Sequence, residues 1–179
     1  LARECEYCQA PGCTAACPAR IDMRNVMRRI EAGNFVGAAR LLRETDPLAE
    51  VCGYLCPPCP PCETRCNRRS FSDHPVRIAD LQAWVCREAA SAGWSTVQPA
   101  ANGQKIAVVG AGPAGLTGAY YLARIGYTVV LMDREHSPGG TLLSGTGWVG
   151  LSPARSDPSG SQADQQAPAL DTGGLHEIS

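Results

Sequence analysis

Apolar residues recur at helical spacing in three stretches of the N-terminal half. Met23, Val26, Met27 and Ile30 stand at i, i+3, i+4 and i+7 behind Asp22, a natural N-cap, and Gly33 closes the run. Asn34 can cap a second helix whose apolar face is Phe35, Ala38, Ala39 and Leu42, and Pro47 ends it. Past Pro75 a third stripe holds Ile78, Leu81, Gln82 and Val85. Two stretches lack periodicity, residues 1–19 and Cys52–Cys66, and read as cysteine-rich loops. Residues 93–104 form a polar, Gly- and Pro-containing linker, after which the period changes. Lys105–Val109 reads as a short buried strand, Pro113–Ile125 as a helix and Tyr127–Met132 as a second strand, the opening of a β-α-β unit.

The predicted fold class is therefore α plus α/β. A helical domain covers 1–92, the linker 93–104, a partial Rossmann-like unit 105–145 and a tail 146–179. Of the last 29 residues, 21 are Ser, Pro, Ala, Gly, Asp or Gln. Such a segment buries too little apolar area to offset the entropy of ordering, so disorder is expected there, as if the frame had shifted or the gene were cut short. The chain begins at Leu1, which leads us to expect a fragment of a longer protein.

Charge narrows the partners. The net charge is −1, and residues 1–99 carry 12 arginines against 11 acids, which argues against a nucleic-acid or polybasic membrane surface. Ile106–Ala123 is apolar enough to suggest a membrane span, but Gly110, Gly112, Pro113, Gly115 and Gly118 punctuate it as a strand–turn–helix. No export segment opens the chain. A cytoplasmic protein is expected, in a compartment where paired thiols bind metal more often than they form disulfides.

All ten cysteines lie between Cys5 and Cys86. The first group is Cys5-x2-Cys8-x4-Cys13-x3-Cys17-Pro18, and the second is Cys52-x3-Cys56 followed by Cys62-x3-Cys66. In ferredoxin-type sites a loop supplies three thiolates and a distant cysteine the fourth, and the bacterial run ends in Cys-Pro as this one does. Zinc suits four thiolates equally well in charge and softness, but its ribbons pair two Cys-x2-Cys knuckles, and this chain has one such pair beside x3 and x4 gaps. Iron–sulfur clusters are the favoured reading, with zinc and disulfides as alternatives.

The stretches CEYCQAPGCTAACPARID, CGYLCP with CETRC, and VRIADLQAWV resemble the N-terminal domain of the glutamate synthase small-subunit family, a domain that also opens dihydropyrimidine dehydrogenase. The resemblance spans about residues 5–143, with every cysteine interval in register. It implies an all-helical domain with two [4Fe-4S] clusters. One would take Cys5, Cys8, Cys13 and Cys66; the other would take Cys17, Cys56 and Cys62, with Gln82 in the place of the glutamine ligand of dihydropyrimidine dehydrogenase. Read on its own, Gln82 shares a stripe with apolar residues, where a buried amide needs a partner or costs about 1–3 kcal/mol. Backbone or water could be that partner, and the resemblance makes it iron. Cys52 falls at a family cysteine that is not a ligand, Cys86 is expected to pack as a small hydrophobe, and Cys59 sits in CPPCPPC, where it could compete with Cys56 or Cys62.

Gly110-x-Gly112-x-x-Gly115 follows a strand and opens a helix, the context that gives the glycine fingerprint its meaning. The first glycine permits the turn, the second lets a pyrophosphate approach backbone and the third permits close helix–strand packing, with Pro113 and Ala114 completing the turn. Asp133 supplies the acid at the end of the second strand. The following Gly139-Gly140 resembles the flavoprotein pattern in which a second glycine pair faces FAD, and in the family this first nucleotide fold binds FAD. No residue is assigned a catalytic role.

What the resemblance implies is an oxidoreductase that passes electrons from NAD(P)H through FAD and [4Fe-4S] clusters to a large catalytic subunit or another acceptor protein. The glutamate synthase small subunit is the nearer expectation. A dihydropyrimidine dehydrogenase-type subunit and a non-catalytic cluster-binding or docking fragment are the alternatives. NAD(P)H binding belongs to the full-length family, whose second nucleotide fold has no counterpart here. The chain alone is therefore expected to be inactive and its FAD site incomplete.

Overall fold

The computed structural model describes residues 1–96 and 99–144. It divides into two compact units, with the boundary between Trp94 and Ser95. Expectations for residues 145–179, the disordered tail among them, lie outside the described residues.

The first unit is helical. Its elements are α1 (Gly12–Ala16), α2 (Met23–Glu31), α3 (Phe35–Thr45), α4 (Ala49–Leu55), α5 (Pro61–Thr64) and α6 (Ile78–Ser91), with short 3-10 turns at Ala2–Glu4 and Asn67–Ser70. The predicted caps are in place. Asp22 accepts from the Asn25 N–H at 3.2 Å, and Asn34 accepts from the Gly37 N–H at 2.8 Å, each satisfying a donor that a helix start leaves open. Met23, Val26, Met27 and Ile30 all turn inward and are buried. Ala38 and Leu42 of α3 meet Val85 and Cys86 of α6 in the same core, and Phe35 stands edge-on to Trp84 with centroids 5.1 Å apart.

Two regions read as loops are partly helical. Gly12–Ala16 forms α1 inside the first cysteine run, and Ala49–Leu55 forms α4 where the second begins. Against α6 this helix sets Ala49, whose carbonyl accepts from Gln82, and Gly53, where an added Cβ would lie 2.8 Å from the Ala79 carbonyl oxygen, residues that carry little apolar signal. Tertiary packing against α6 forms this helix, and local propensity does not.

The second unit holds β1 (Lys105–Val109), α7 (Pro113–Arg124), β2 (Thr128–Met132) and α8 (Thr141–Ser144). The strands run parallel with Lys105 opposite Thr128 and Val109 opposite Met132. Ala119 and Ala123 of α7 close on Val129, making a small core of its own. The expectation that β1 is buried does not hold. Its residues alternate between exposed and half-buried, and Val109 is 84% exposed, because α7 covers one face of a two-stranded sheet and no described element covers the other. Among the described residues no helix is long and apolar enough to cross a membrane.

Candidate functional site

The two cysteine loops of the first unit lie side by side because α1 packs directly on the turn that precedes Cys66. A Cβ at Gly12 would sit 2.4 Å from the Arg65 carbonyl oxygen, so only glycine allows that approach. Arg68 ties the same region from the other side. Its guanidinium donates to the Glu4 and His74 carbonyls at 3.2 and 3.1 Å and stands 3.8 Å from the Glu6 carboxylate. The result is a cavity lined by Cys5, Cys8, Cys13 and Cys66, with Arg24 and Met27 on its wall.

A second group forms at the foot of α4 and α5. Cys17, Cys56 and Cys62 are close enough to interact through charge, and Cys52 joins them. The structure thus separates eight of the ten cysteines into one group containing Cys66 and another containing Cys17. Cys59 is exposed and Cys86 is buried in the helical core beside Arg43. The Cys52 thiol, pushed up by burial and by the Asp46 carboxylate to which it hydrogen-bonds, already has a partner in Asp46.

Gln82 is 5% exposed on α6, and its Nε2 donates to the Ala49 carbonyl oxygen at 2.6 Å. The amide bridges α6 to the start of α4, the helix whose other end carries Cys56. The Gln82 oxygen is the acceptor end of the same amide. Glu63, which the sequence reading passed over, is 9% exposed and accepts the Ala79 N–H at 3.0 Å. It thereby satisfies a first-turn donor of α6, where Arg77 offers no side-chain cap, and fixes the Cys62–Cys66 turn to the helix bearing Gln82. The signal was a carboxylate between two paired cysteines, easily taken for solvated surface.

The donor set fits an iron–sulfur group. Burial first, then the neighbouring Glu63, Cys56 and Cys17 charges, push the Cys62 thiol up to about 12, and burial with Cys5 and Cys66 raises Cys13. Thiolates crowded in this way repel one another until a cationic centre joins them, and soft sulfur donors suit iron. Among the described residues no three His, Cys, Asp or Glu side chains gather around one point as a single metal ion requires. A four-iron cube is larger, brings its own iron and sulfide into the space between ligands, and gives each thiolate a separate corner.

In the second unit the fingerprint is a closed loop. Gly110 has φ +100° and donates its N–H to the Met132 carbonyl at 2.7 Å, joining the ends of the two strands. A Cβ at Gly115 would meet the Gly110 oxygen at 1.7 Å, so helix and strand approach as the fingerprint requires. Asp133 accepts from the Ala111 and Glu135 N–H groups, which hold its carboxyl below the usual range. Gly112 precedes Pro113 at the first position of α7, whose N-terminus has no side-chain cap and is therefore open to an anion. The Gly139 N–H donates to the Ala111 oxygen at 2.8 Å, and a Cβ at Gly140 would lie 3.0 Å from the Gly112 Cα. The second glycine pair thus folds onto the fingerprint turn.

Comparison with known proteins agrees with both units. Residues 1–94 match the family described as dihydropyrimidine dehydrogenase domain II, 4Fe-4S cluster, and residues 108–147 match the NAD(P)-binding Rossmann-like domain. The NAD-dependent dihydropyrimidine dehydrogenase subunit PreT of Escherichia coli K12 is 37% identical over 145 residues, 80% of this chain and 35% of that protein. The glutamate synthase [NADPH] small chain of the same organism is 34% identical over 146 residues, 80% of this chain and 31% of the relative. The NADPH-Fe(3+) oxidoreductase subunit beta of Geobacter sulfurreducens is 36% identical over 150 residues, 80% of this chain and 21% of the relative. The chain spans about a third of the length of the first of these relatives, and less of the others.

Proposed function

Because the chain belongs to the dihydropyrimidine dehydrogenase domain II 4Fe-4S family, with a Rossmann-like unit after it, we propose that it is the electron-relay part of an NAD(P)H oxidoreductase subunit, with two [4Fe-4S] clusters and an FAD site. Cys5, Cys8, Cys13 and Cys66 hold one cluster; Cys17, Cys56, Cys62 and Gln82 hold the other. The observation that carries the reading is the division of the cysteines into two groups, each drawing on both loops, within one helical unit. When bound, the flavin and clusters supply conversion of a two-electron donor into single-electron transfers. The residues' part is to hold and insulate. Gly12 and Arg68 keep the loops together, Glu63 fixes the second turn to α6, and the Ala49 carbonyl holds the Gln82 nitrogen.

In the second unit, Gly110, Gly112, Pro113, Ala114 and Gly115 would receive the FAD pyrophosphate at the start of α7, Asp133 would face the ribose, and Gly139 and Gly140 would close over it. The electron acceptor is a larger partner subunit, and the setting is the cytoplasm, where the thiols stay reduced. Of the two parent reactions, reduction of a pyrimidine is the second reading, carried by the 37% identity to subunit PreT against 34% to the glutamate synthase small chain. Anaerobic reconstitution followed by iron, sulfide and flavin analysis tests the proposal. About eight iron and eight sulfide per chain are expected, and stoichiometric zinc without sulfide would overturn it.

A further inference from the structure

Buried polar atoms are normally partnered, so the exceptions point to a group not yet accounted for. Among the described residues the buried Arg24 Nε lacks a hydrogen-bond partner. It carries a proton to donate. Arg24 lines the cavity shared by Cys5, Cys8, Cys13 and Cys66, where the Thr14 side chain already hydrogen-bonds Cys13. The far end of Arg24 is fixed, its Nη1 donating to the Cys8 carbonyl at 3.2 Å. Its nearest acid in sequence, Asp22, is occupied by Asn25, whose N–H and Nδ2 donate to it at 3.2 and 2.6 Å. The other arginine on this cavity, Arg68, spends its guanidinium on Glu4, His74 and Glu6. Arg24 is thus a half-buried cation whose buried Nε–H has no hydrogen-bond partner, on a cavity wall that also carries Glu6.

We infer that Arg24 donates its Nε–H to the sulfur of the cluster held by Cys5, Cys8, Cys13 and Cys66 and, with its charge, raises that cluster's reduction potential. The physical reason is charge. A cube bearing four thiolates is anionic and gains a further negative charge on reduction, so a guanidinium on the cavity wall favours the reduced form more than the oxidised one. Beside the second group the charges that act on its thiols are carboxylates, Asp46 at Cys52 and Glu63 at Cys62. The inference rests on the two-cluster reading.

The test is a redox titration, followed by electron paramagnetic resonance, of the reconstituted full chain carrying Arg24→Gln, Arg24→Lys or Arg29→Gln. Arg29 is exposed on the same helix and loses the same charge away from the cavity. In Arg24→Gln, the reduced-to-oxidised ratio of one cluster at fixed potential should fall at least tenfold, equivalent to about 59 mV for one electron, with the other cluster unchanged. Arg24→Lys should give a smaller shift of the same sign, and Arg29→Gln none. Loss of four of about eight iron atoms in Arg24→Gln alone would also support the assignment, since it would mean that one cluster depends on this side chain. Unchanged potentials in both Arg24 variants, or an equal shift in Arg29→Gln, would overturn it. Absence of iron and sulfide from the wild-type chain would instead sink the underlying two-cluster reading.

Discussion

Replacing Gly12 by alanine puts the packing of the two cysteine loops to a direct trial. The added Cβ would lie 2.4 Å from the Arg65 carbonyl oxygen and 3.3 Å from Asn67 Oδ1, whereas ordinary contact begins at 3.4 Å. The first contact is with backbone, which cannot rotate aside, so α1 and the Arg65–Cys66 turn must separate by about 1 Å. Overpacking of this kind costs about 1–3 kcal/mol, enough to lower Tm by several degrees in a unit of this size. The chemical consequence is sharper than the thermal one. Cys13 follows Gly12 and Cys66 follows Arg65, so the same displacement pulls apart two ligands that must each reach an iron within a bond length. Gly12→Ala should therefore retain about four of eight iron atoms after anaerobic reconstitution, with the second cluster's spectrum intact. Gly118→Ala, where an added Cβ meets nothing within 4 Å, should leave iron content unchanged. Full iron and an unaltered Tm in Gly12→Ala would show that the loops do not meet as described.

The other predictions concern single contacts. Gln82→Ala should change the spectrum of one cluster and leave the other, while Cys86→Ser leaves both; identical spectra for Gln82→Ala and wild type would remove the amide from the ligand set. Glu63→Ala, which strips the buried acceptor from the Ala79 N–H, should cost about 0.5–2 kcal/mol by chemical denaturation, and Glu63→Gln much less; equal losses would point to charge in place of the hydrogen bond. Asp133 has a depressed folded-state pKa, so its contribution to the loop is fully present above its unfolded value, about 3.9, and is lost as pH falls through the folded one. Amide exchange at Ala111, corrected for its intrinsic pH dependence, should lose protection in that acid window in wild type, whereas Asp133→Asn should show no such transition; the same transition in Asp133→Asn would refute the link.

Much of the fold was legible because caps and periodicity agreed. Asp22 and Asn34 marked helix starts that the structure places at Met23 and Phe35, and the switch to a strand pattern at Lys105 gives β1 from that residue. α4 was illegible because the residues it sets against α6, Ala49 and Gly53, carry little apolar signal, and the burial that makes it a helix comes from α6. β1 read as buried because its apolar run resembles a central strand, whereas exposure depends on neighbours that a local pattern does not contain. At the site, cysteine spacing conveyed which residue types meet, but their grouping depends on the contact of Gly12 with Arg65. The roles of Glu63 and Arg24 needed three-dimensional neighbours altogether, a helix start sixteen residues away for one and a cavity wall for the other.

The proposed helical unit holds two four-iron cubes with seven thiolates and one amide oxygen. Mössbauer spectroscopy of the full chain reconstituted anaerobically with 57Fe counts both cluster type and ligand type. The account predicts that all bound iron is in [4Fe-4S] form and that about one iron in eight shows a distinct subsite with a harder, non-sulfur ligand. Two-iron clusters, mononuclear thiolate iron, or eight equivalent thiolate-bound sites would contradict it.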